Sequence, residues 1–554
     1  MEYLHIGPGP ISTLATQYMV RMRDAVHLAT DVYLPGGNVI PGDTVLIRLP
    51  YDKSGEYTFI ANIAEYFMAR GYRVVAQDVR GKFRSEGQAL LFVNEADDGY
   101  DTIEWITQQP FSNGNVAMWG DSYYGYTQWA AVSSQHPALK AISPRVTGTQ
   151  LGEPVQRAAG DITRRVEWGI TLMYPLTYFH SQDAYFWDVD WTTRPYSAAA
   201  EDFMETVGAR SPSYDLWYPQ PVYLPRFRAG SPFDARPVPV LHVIGWWDNC
   251  APLSWADEVE LAKRPAWALN HYLRIEPMDH EGYIFLEADE DRVETRSLAQ
   301  IEALLPRLLD PAIEFFEIFV RGNGRPEDIP KVSWNLAGTE GMRESSSWPP
   351  TGVRSSTLVA DSAGNLVANA SPDGASCGTD ITWEHNPNDL VPSSVPNAFA
   401  FLSVLPDEAG IGLRSDVLVF DSRPVAHTVE LVGPVTAKAR IHSSGPNMDL
   451  FLRLLDVSPE GSAVRIGRGQ VHLVDATQAT TVEVDLGQLG YQLREGHLLR
   501  LHISSSDFPE FVPLPGTGEN PWGATEVVST TQSLLVGGAD GLSLTVSILK
   551  GMLS

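Results

Sequence analysis

A serine stands where a strand-like run of the sequence changes into a helix-like run. The stretch 116–132 reads VAMWGDSYYGYTQWAAV, apolar and strand-compatible at its start, apolar and helix-compatible at its end. Ser122 falls at the change, with Gly120 two places before it and Gly125 three places after it. The usual pattern, G-x-S-x-G, has its second glycine one place earlier, where this chain has Tyr124. The pattern predicts a nucleophile elbow, a sharp turn that exposes a serine hydroxyl; an ordinary strand–helix turn is the alternative.

A serine hydroxyl is an effective nucleophile only when a base removes its proton during the attack. The base is normally a histidine held in one tautomer by a carboxylate; after an elbow serine the chain order is acid, then histidine, each at a strand end. His280, in the loop EPMDHEGY after an expected strand, has the right place for the base. Asp248, which ends the apolar stretch in VLHVIGWWDNC, is the expected acid. Glu276 and Asp279 are rivals, but both lie very close to His280 in the sequence.

Acyl transfer through a serine also needs donors for the oxyanion, each worth roughly 2.7–4 kcal/mol. One donor is normally the backbone N–H of the residue after the nucleophile, here Tyr123. The other comes from the loop after an early strand, and that loop reads Pro-Tyr-Asp-Lys from residue 50. We expect the hydroxyl of Tyr51 to serve there in place of a backbone amide.

The elements needed to position these side chains can be read from the alternation of apolar runs. Residues 17–34 predict a hairpin, and strand and helix patterns then alternate from about 40 to 140, which predicts a parallel sheet with helices on both faces. Expected strands are Val45–Leu49, Tyr72–Gln77, Val238–Ile244, Tyr272–Ile275 and Phe315–Val320, and expected helices are Phe59–Ala69, Ala96–Gln108, Leu253–Lys263 and Arg292–Leu309.

Two regions depart from this alternation. The region 145–240 is helix-like and rich in Trp and Tyr, which predicts a cap over the active site or, alternatively, an additional helical layer. Beyond 333, short alternating runs separated by Gly, Pro, Asn and Asp predict an antiparallel sandwich or jelly roll. The predicted class is therefore α/β, with an α/β-hydrolase domain (1–144 and 241–332), a helical cap (145–240) and an all-β jelly-roll domain (333–554).

Composition narrows the function classes. The chain has 554 residues and a net charge of −28, which argues against nucleic acid or an anionic membrane as a partner. Its first residues lack the basic and apolar segments of a signal peptide, and no apolar run reaches the ~18 residues of a membrane span. Two cysteines, Cys250 and Cys377, cannot make a disulfide framework and suit a reducing cytoplasm. We expect a packing role for Cys377.

Several motifs resemble those of the CocE/NonD hydrolase family, which includes cocaine esterase, X-prolyl dipeptidyl-peptidase and α-amino-acid ester hydrolases. The matching pieces are MRDAVHLATDVYLP, the PYDK loop, DVRGKFRSEG, the GDSYYG elbow, GWWDN, the EPMDH loop, RSDVLVFDSRPV, MDLFLRLLDVSPEG and LRLHISSSDFPEF, all in one order along the chain. The resemblance implies Ser122 as nucleophile, Asp248 as acid, His280 as base, and Tyr51 with the Tyr123 amide as oxyanion donors. It also implies a structural role for Arg80, tying loops together near the site.

Some positions depart from the family pattern. The connection from Asn388 to Pro392 continues as SSVPNAF without the Gly-Gly pair common there, so substrate preference cannot be taken from the family. Cys250, two places after the acid, is a candidate for the pocket wall or for packing, and Trp168 in the cap is another candidate for the pocket wall.

These observations predict a serine hydrolase that cleaves an ester or amide bond of a small substrate through an acyl-serine intermediate, without a metal or an organic cofactor. An X-prolyl dipeptidyl-peptidase or aminopeptidase is one alternative; a binding protein that uses the jelly roll, with an inert hydrolase domain, is another. Acidic residues of the cap could bind a substrate ammonium, although a solvated helix face explains most of them better; they are Glu153, Asp161, Glu167, Asp183 and Asp188. The resemblance also suggests a homo-oligomer.

Overall fold

The structure, a computed structural model, describes residues 7–37, 39–152, 163–164, 174–182, 191–218, 222, 224–227, 230–282, 296–368, 378–394 and 406–553. Its α-helices are α1 (Ile60–Met68), α2 (Glu95–Thr107), α3 (Ser122–Ser134), α4 (Tyr196–Val207), α5 (Pro212–Trp217), α6 (Ala251–Ala262) and α7 (Leu298–Phe319). Short 3₁₀ helices lie at Pro35–Gly37, Pro232–Asp234, Pro265–Trp267, Pro326–Asp328 and Ile411–Leu413. None of the helices in these ranges is both long and apolar enough to span a bilayer.

The strands of the first part of the chain are β1 (Ala15–Arg21), β2 (His27–Tyr33), β3 (Gly42–Leu49), β4 (Arg73–Asp78), β5 (Ser112–Asp121), β6 (Leu139–Arg145), β7 (Thr163–Arg164), β8 (Val240–Gly245), β9 (His271–Glu276), β10 (Val332–Trp334) and β11 (Arg343–Ser345). All but β7 form a ten-stranded sheet in the order β1-β2-β4-β3-β5-β6-β8-β9-β10-β11. The strands from β4 to β10 in that order run parallel, and the hairpin partners at both edges are antiparallel. This arrangement brings the carboxyl ends of β3, β5, β8 and β9 to one edge of the sheet.

Alternate residues of the central strands enter two cores, one on each face of the sheet. Val45 and Ile47 of β3 pack in a core shared with α1 and α7, whereas Leu46 between them packs on the other face with Trp129 of α3. Because successive side chains of a strand point to opposite faces, an uninterrupted apolar run is what a strand covered on both faces requires. The expected parallel sheet with helices on both faces is confirmed.

One expected element is wrong. Phe315–Val320 was expected as a strand after a helix ending at Leu309, but α7 continues without interruption to Phe319. Pro306 and Pro311 lie inside α7, and a proline normally indicates the end of a helix. The aromatic run at its end packs as one face of the helix, with Phe315 and Phe316 buried.

The second part of the chain consists of antiparallel strands. They are β12 (Arg354–Ala360), β13 (Leu366–Ala368), β14 (Thr379–His385), β15 (Leu418–Asp421), β16 (Val429–Ser443), β17 (Met448–Val457), β18 (Ala463–Leu473), β19 (Thr480–Leu493), β20 (Leu498–Ser504), β21 (Thr530–Val536) and β22 (Ser543–Lys550). One sheet is β13-β12-β22-β16-β21-β14 with β19 on β16, and the other is β15-β20-β17-β18-β7. Their facing side chains form one buried apolar core, so the expected all-β architecture of antiparallel strands is confirmed.

Two details differ from simple domain boundaries. The large sheet continues through β10 and β11 to Ser345, past the expected boundary at 332, because β10 adds to β9 in parallel register. Within the region 145–240, β7 pairs with β18 of the β-sandwich, so this insertion contacts both larger parts of the molecule.

Candidate active site

Ser122 occupies a strained turn between β5 and α3. It is the first residue of α3, directly after Asp121 at the end of β5, and its φ is 53°, in the left-handed region that residues with a side chain rarely adopt. Strain of this kind persists only where the surrounding structure enforces it, and it is concentrated at functional positions. The expected elbow is therefore present in the backbone.

A side chain at either glycine flanking Ser122 would collide with a different neighbour. A Cβ at Gly120 would collide with the ring of Tyr124. A Cβ at Gly125 would lie 2.7 Å from Cγ2 of Thr147 and 3.1 Å from the carbonyl oxygen of Arg145, where the segment after β6 crosses the helix. The second glycine is thus needed at 125, and the preceding position can carry the tyrosine side chain.

Asp248 and His280 are joined by a hydrogen bond. Asp248 follows β8 and His280 follows β9, and Nδ1 of the imidazole lies 2.7 Å from Oδ1 of the carboxylate. The same carboxylate oxygen accepts the backbone N–H of Cys250 at 3.0 Å. Both side chains are buried, so the imidazole is held in one orientation with Nδ1 toward the acid.

The two rivals for the acid are engaged elsewhere. Glu276 pairs with Nε of Arg274 at 2.5 Å, and Asp279 accepts the backbone N–H of Glu281 at 3.0 Å. The hydrogen bond to His280 therefore favours Asp248 over both of them.

The environment of His280 favours its protonated form. Burial disfavours the imidazolium, but Cys250 and the Asp248 carboxylate outweigh it and raise the pKa of His280 well above its usual value. Burial also raises the pKa of the Cys250 thiol.

Ser122 and His280 line one cavity of about 60 Å³. The wall of this cavity also contains three tyrosines, Tyr51, Tyr57 and Tyr124. Leucine and arginine side chains of α7 close it on another side; they are Leu304, Arg307 and Leu308. A cavity of this size holds a few water-sized groups, enough for a reacting carbonyl.

Tyr51 follows β3 and lies on the cavity wall with the serine. Its hydroxyl is 3.2 Å from the hydroxyl of Tyr174, which belongs to the region 145–240. Its ring makes edge contacts with the rings of Tyr57 and Tyr124, which fix its orientation.

The side chain of Tyr123 is fully buried and is not part of the described cavity wall. Its hydroxyl donates to Oε1 of Glu95 at 2.8 Å and accepts the backbone N–H of Phe92 at 2.9 Å. Glu95 in turn pairs with Nη1 of Arg48 at 2.9 Å. This buried network fixes the backbone of Tyr123, including the N–H expected to bind the oxyanion.

Sequence reasoning missed this network and a second ion pair beside the serine. Nε of Arg145, at the end of β6, donates to Oδ1 of Asp121 at 2.8 Å. Burial raises the pKa of Asp121, and the arginine opposes that shift. The available signal was an arginine near the end of a largely apolar strand, Arg48 in β3 and Arg145 in β6, since a buried charge requires a partner.

Arg80 joins two elements near the site. Its guanidinium contacts Asp24 in the turn of the opening hairpin and Asp98 of α2, each at 2.6 Å. This position agrees with the structural role suggested for it.

The remaining candidates have different outcomes. Cys250 is buried in an apolar cluster with Tyr123 and Tyr174, and its thiol contacts His280, so it packs directly behind the imidazole. Trp168 lies outside the described residues, as do Cys377 and the five acidic residues considered for a substrate ammonium.

Two family models and several known proteins are similar to this chain. Residues 24–282 match the family model described as X-Pro dipeptidyl-peptidase (S15 family), and residues 323–544 match that of the X-Pro dipeptidyl-peptidase C-terminal non-catalytic domain. A cocaine esterase from Rhodococcus sp. (strain MB1 Bresler) is 27% identical over 558 residues, which cover 91% of this chain and 93% of that protein. The chain is thus similar to the S15 family over residues 24–282. It is a serine hydrolase, and its resemblance to CocE/NonD hydrolases is confirmed.

Solved structures similar to this hydrolase share its fold over nearly the whole chain. An aminopeptidase from the marine sediment archaeon Thaumarchaeota archaeon has a TM-score of 0.77 at 21% identity, covering 97% of this chain and 96% of that one. An α-amino acid ester hydrolase has a TM-score of 0.76 at 21% identity, covering 96% of each chain. At these identities the likeness concerns the fold.

Proposed function

We propose that Ser122 is the nucleophile of a two-step acyl transfer, with His280 as its base and Asp248 as the group that orients the imidazole. The observation that carries this assignment is the 2.7 Å hydrogen bond between Asp248 and Nδ1 of His280, whose ring lines the same cavity as Ser122. The strained conformation of Ser122 at the strand end supports the same role.

In the first step the hydroxyl oxygen of Ser122 attacks the substrate carbonyl while His280 takes the hydroxyl proton. The imidazolium then gives that proton to the leaving alcohol or amine, and the acyl group stays on the serine oxygen. In the second step His280 takes a proton from water, the resulting hydroxide attacks the acyl-serine, and the serine oxygen recovers its proton as the acid leaves.

The oxyanion formed in both steps is stabilised by the backbone N–H of Tyr123 and the hydroxyl of Tyr51. The position of Tyr51 on the cavity wall supports this role, because the donor must lie beside the carbon that the serine attacks. The contact with Tyr174 gives the Tyr51 hydroxyl a partner in the resting enzyme, and it can turn from this partner to the oxyanion.

The substrate proposed is an ester with a small, uncharged acyl group. The two carboxylates on the described cavity wall are both engaged: Asp121 with Arg145, and Glu281 with the hydroxyl of Tyr57 at 3.0 Å. A substrate ammonium would have to displace one of these partners, which costs free energy. This arrangement favours a plain acyl ester over an aminoacyl or X-prolyl substrate. The relative named cocaine esterase is consistent with it.

Labelling and substrate comparison test the two parts of the proposal separately. A fluorophosphonate probe should label the wild-type protein and fail to label Ser122→Ala, while Ser133→Ala, a change at another buried serine of α3, should keep its label. p-Nitrophenyl acyl esters should be hydrolysed with a kcat/KM at least about tenfold above that of aminoacyl or X-Pro anilides. Faster hydrolysis of an X-Pro anilide would reject the ester preference, and labelling of Ser122→Ala would reject the nucleophile.

A further inference from the structure

Two histidines and a glutamate converge on the side of the large sheet where α6 packs. His242 is the third residue of β8 and His271 the first of β9, and the register pairs Val240 with His271. Because His242 is two places after Val240, both imidazoles project from the same face of the sheet. Glu258 of α6 lies over that face.

The three side chains meet at one carboxylate oxygen. Oε1 of Glu258 is 2.5 Å from Nδ1 of His242 and 2.9 Å from Nε2 of His271. One ligand atom from each of the three residues lies within 4.8 Å of the others. Two imidazole nitrogens and a carboxylate oxygen are a donor set that binds zinc and neighbouring divalent transition metals in proteins.

We infer that His242, Glu258 and His271 form a binding site for a divalent transition-metal ion, with zinc as the expected occupant. Ligand atoms arranged tetrahedrally around zinc lie about 3.4 Å apart, so Glu258 must withdraw by less than about 1 Å to admit the ion. The ion replaces the proton that the carboxylate shares with each imidazole. Three protein ligands leave a fourth position for water.

The position of the cluster allows an ion to enter. His242 is fully buried, whereas the side chains of Glu258 and His271 are 14% and 20% exposed. Both line a cavity of about 900 Å³ between α6 and the β-sandwich. Asp257, next to Glu258, is also buried, but it is bonded to the hydroxyl of Thr149 at 2.6 Å and is not one of the three ligands.

The inferred site is separate from the proposed catalytic residues. His271 begins β9 and His242 lies within β8, whereas Asp248 and His280 follow the ends of those strands. The ion would therefore fasten α6 to the sheet and would not contact the substrate. Loss of metal binding would not affect the assignment of Ser122, and loss of the hydrolase assignment would not affect the site.

Titration of the full-length protein with ZnCl₂ and CoCl₂ tests the inference. After dialysis against EDTA, calorimetry should show one Zn²⁺ bound per chain, Co²⁺ should give visible d–d absorption, and Zn²⁺ should raise the melting temperature. Glu258→Gln and His271→Asn should each weaken Zn²⁺ binding at least about tenfold. These two variants avoid the fully buried His242, and His427→Asn, at a histidine that is 89% exposed, is the matched control and should bind as the wild type does.

A second cluster makes the test specific. Asp248, Cys250 and His280 also bring three ligand atoms within 4.8 Å, so Cys250→Ala belongs in the same titration. Zinc binding that survives in Cys250→Ala and is lost in Glu258→Gln supports the inferred site. Binding lost in Cys250→Ala and retained in Glu258→Gln, or the absence of stoichiometric binding to the wild type, would overturn it and leave the cluster as a hydrogen-bonded His–Glu–His arrangement.

Discussion

The hydroxyl of Tyr123 is hydrogen-bonded to Glu95 at 2.8 Å, so the residue after the proposed nucleophile is anchored from the buried side of the elbow. Burial raises the pKa of Glu95, while Arg48 and the tyrosine hydroxyl both favour its charged form. A side chain that never reaches the substrate thus fixes the position of the proposed oxyanion N–H. A small displacement there costs rate, because catalytic hydrogen bonds depend on placement.

Tyr123→Phe should therefore lower kcat more than it changes KM. We expect a decrease in kcat of up to about tenfold, since the N–H remains but is held less firmly. The free energy of unfolding should fall by about 1–3 kcal/mol because Glu95 loses a buried partner. Steady-state kinetics and urea denaturation measure the two effects.

Tyr272→Phe is the control for this change. Its hydroxyl donates to the carbonyl of Pro326 at 3.2 Å, away from the cavity. It should lose a little stability and keep kcat. A Tyr123→Phe enzyme with unchanged kcat and reduced stability would mean that the network serves folding alone.

The pH dependence of activity follows from the state of His280. The imidazole must be neutral to act as base, and its raised pKa means that the neutral form appears only above its ordinary value of 6.5. We expect kcat/KM to rise with pH through a midpoint above 6.5. The same shift implies that His280 stabilises the fold at low pH and that this stabilisation is lost as pH rises through the folded-state pKa.

Cys250→Ala and Asp248→Asn test separately how the two neighbours of the His280 imidazole affect its pKa. Cys250 contributes with Asp248 to the raised pKa of His280, so its removal should lower the midpoint of the acid limb of the pH–rate profile. Asp248→Asn should lower both the midpoint and the rate, the rate by about 10⁴-fold. A wild-type midpoint at or below 6.5 would mean that Cys250 and Asp248 together do not outweigh the effect of burial on His280.

The steric role of Gly120 predicts a second kind of defect. Gly120→Ala places a Cβ against the ring of Tyr124, which lines the cavity. We expect a loss of at least about 2 kcal/mol in stability together with a large loss of activity, because the elbow must shift. Thermal denaturation and ester hydrolysis measure both.

Gly114→Ala on the same strand is its control. Gly114 also has a positive φ, 88°, but an added Cβ meets nothing within 4 Å. Only backbone strain remains, which costs about 1 kcal/mol, and activity should persist. Equal effects of the two changes would show that the contact with Tyr124 is unimportant.

The sequence predicted the residues of the proposed site better than it predicted the buried residues that hold them in position. Ser122, Asp248 and His280 each follow an apolar strand, and apolar runs are the clearest local signal of a strand buried on both faces. The partners of Tyr123 could not be derived, because Glu95 and Arg48 meet only through the fold, and a charged residue in a sequence does not name its partner. The predicted end of α7 was wrong because Pro306 and Pro311 are local signals for a helix end. In the fold, tertiary packing of the apolar face of the helix overrides these signals.

Lys53 supplies the last test, since it lies fully buried in the loop that carries Tyr51. Its ammonium is 2.9 Å from Asp78 and 3.5 Å from Asp31, and all three side chains have no solvent exposure. Even with this partner, burial raises the pKa of Asp78 to about 6. Lys53→Met should therefore cost about 3–5 kcal/mol at pH 8, because it leaves two buried carboxylates without their cation.

The cost of Lys53→Met should depend on pH in a defined direction. The folded-state pKa of Asp78 is above its ordinary 3.8, so its protonated form stabilises the fold at low pH, and that stabilisation is lost as pH rises through about 6. Without Lys53 this pKa rises further, and the variant should recover part of its stability at pH 5. Urea denaturation at pH 5 and pH 8 measures the difference. Lys263→Met, at a lysine that is 62% exposed, should cost less than about 1 kcal/mol at either pH. A deficit for Lys53→Met that is equal at both pH values would mean that Asp78 does not take up the proton.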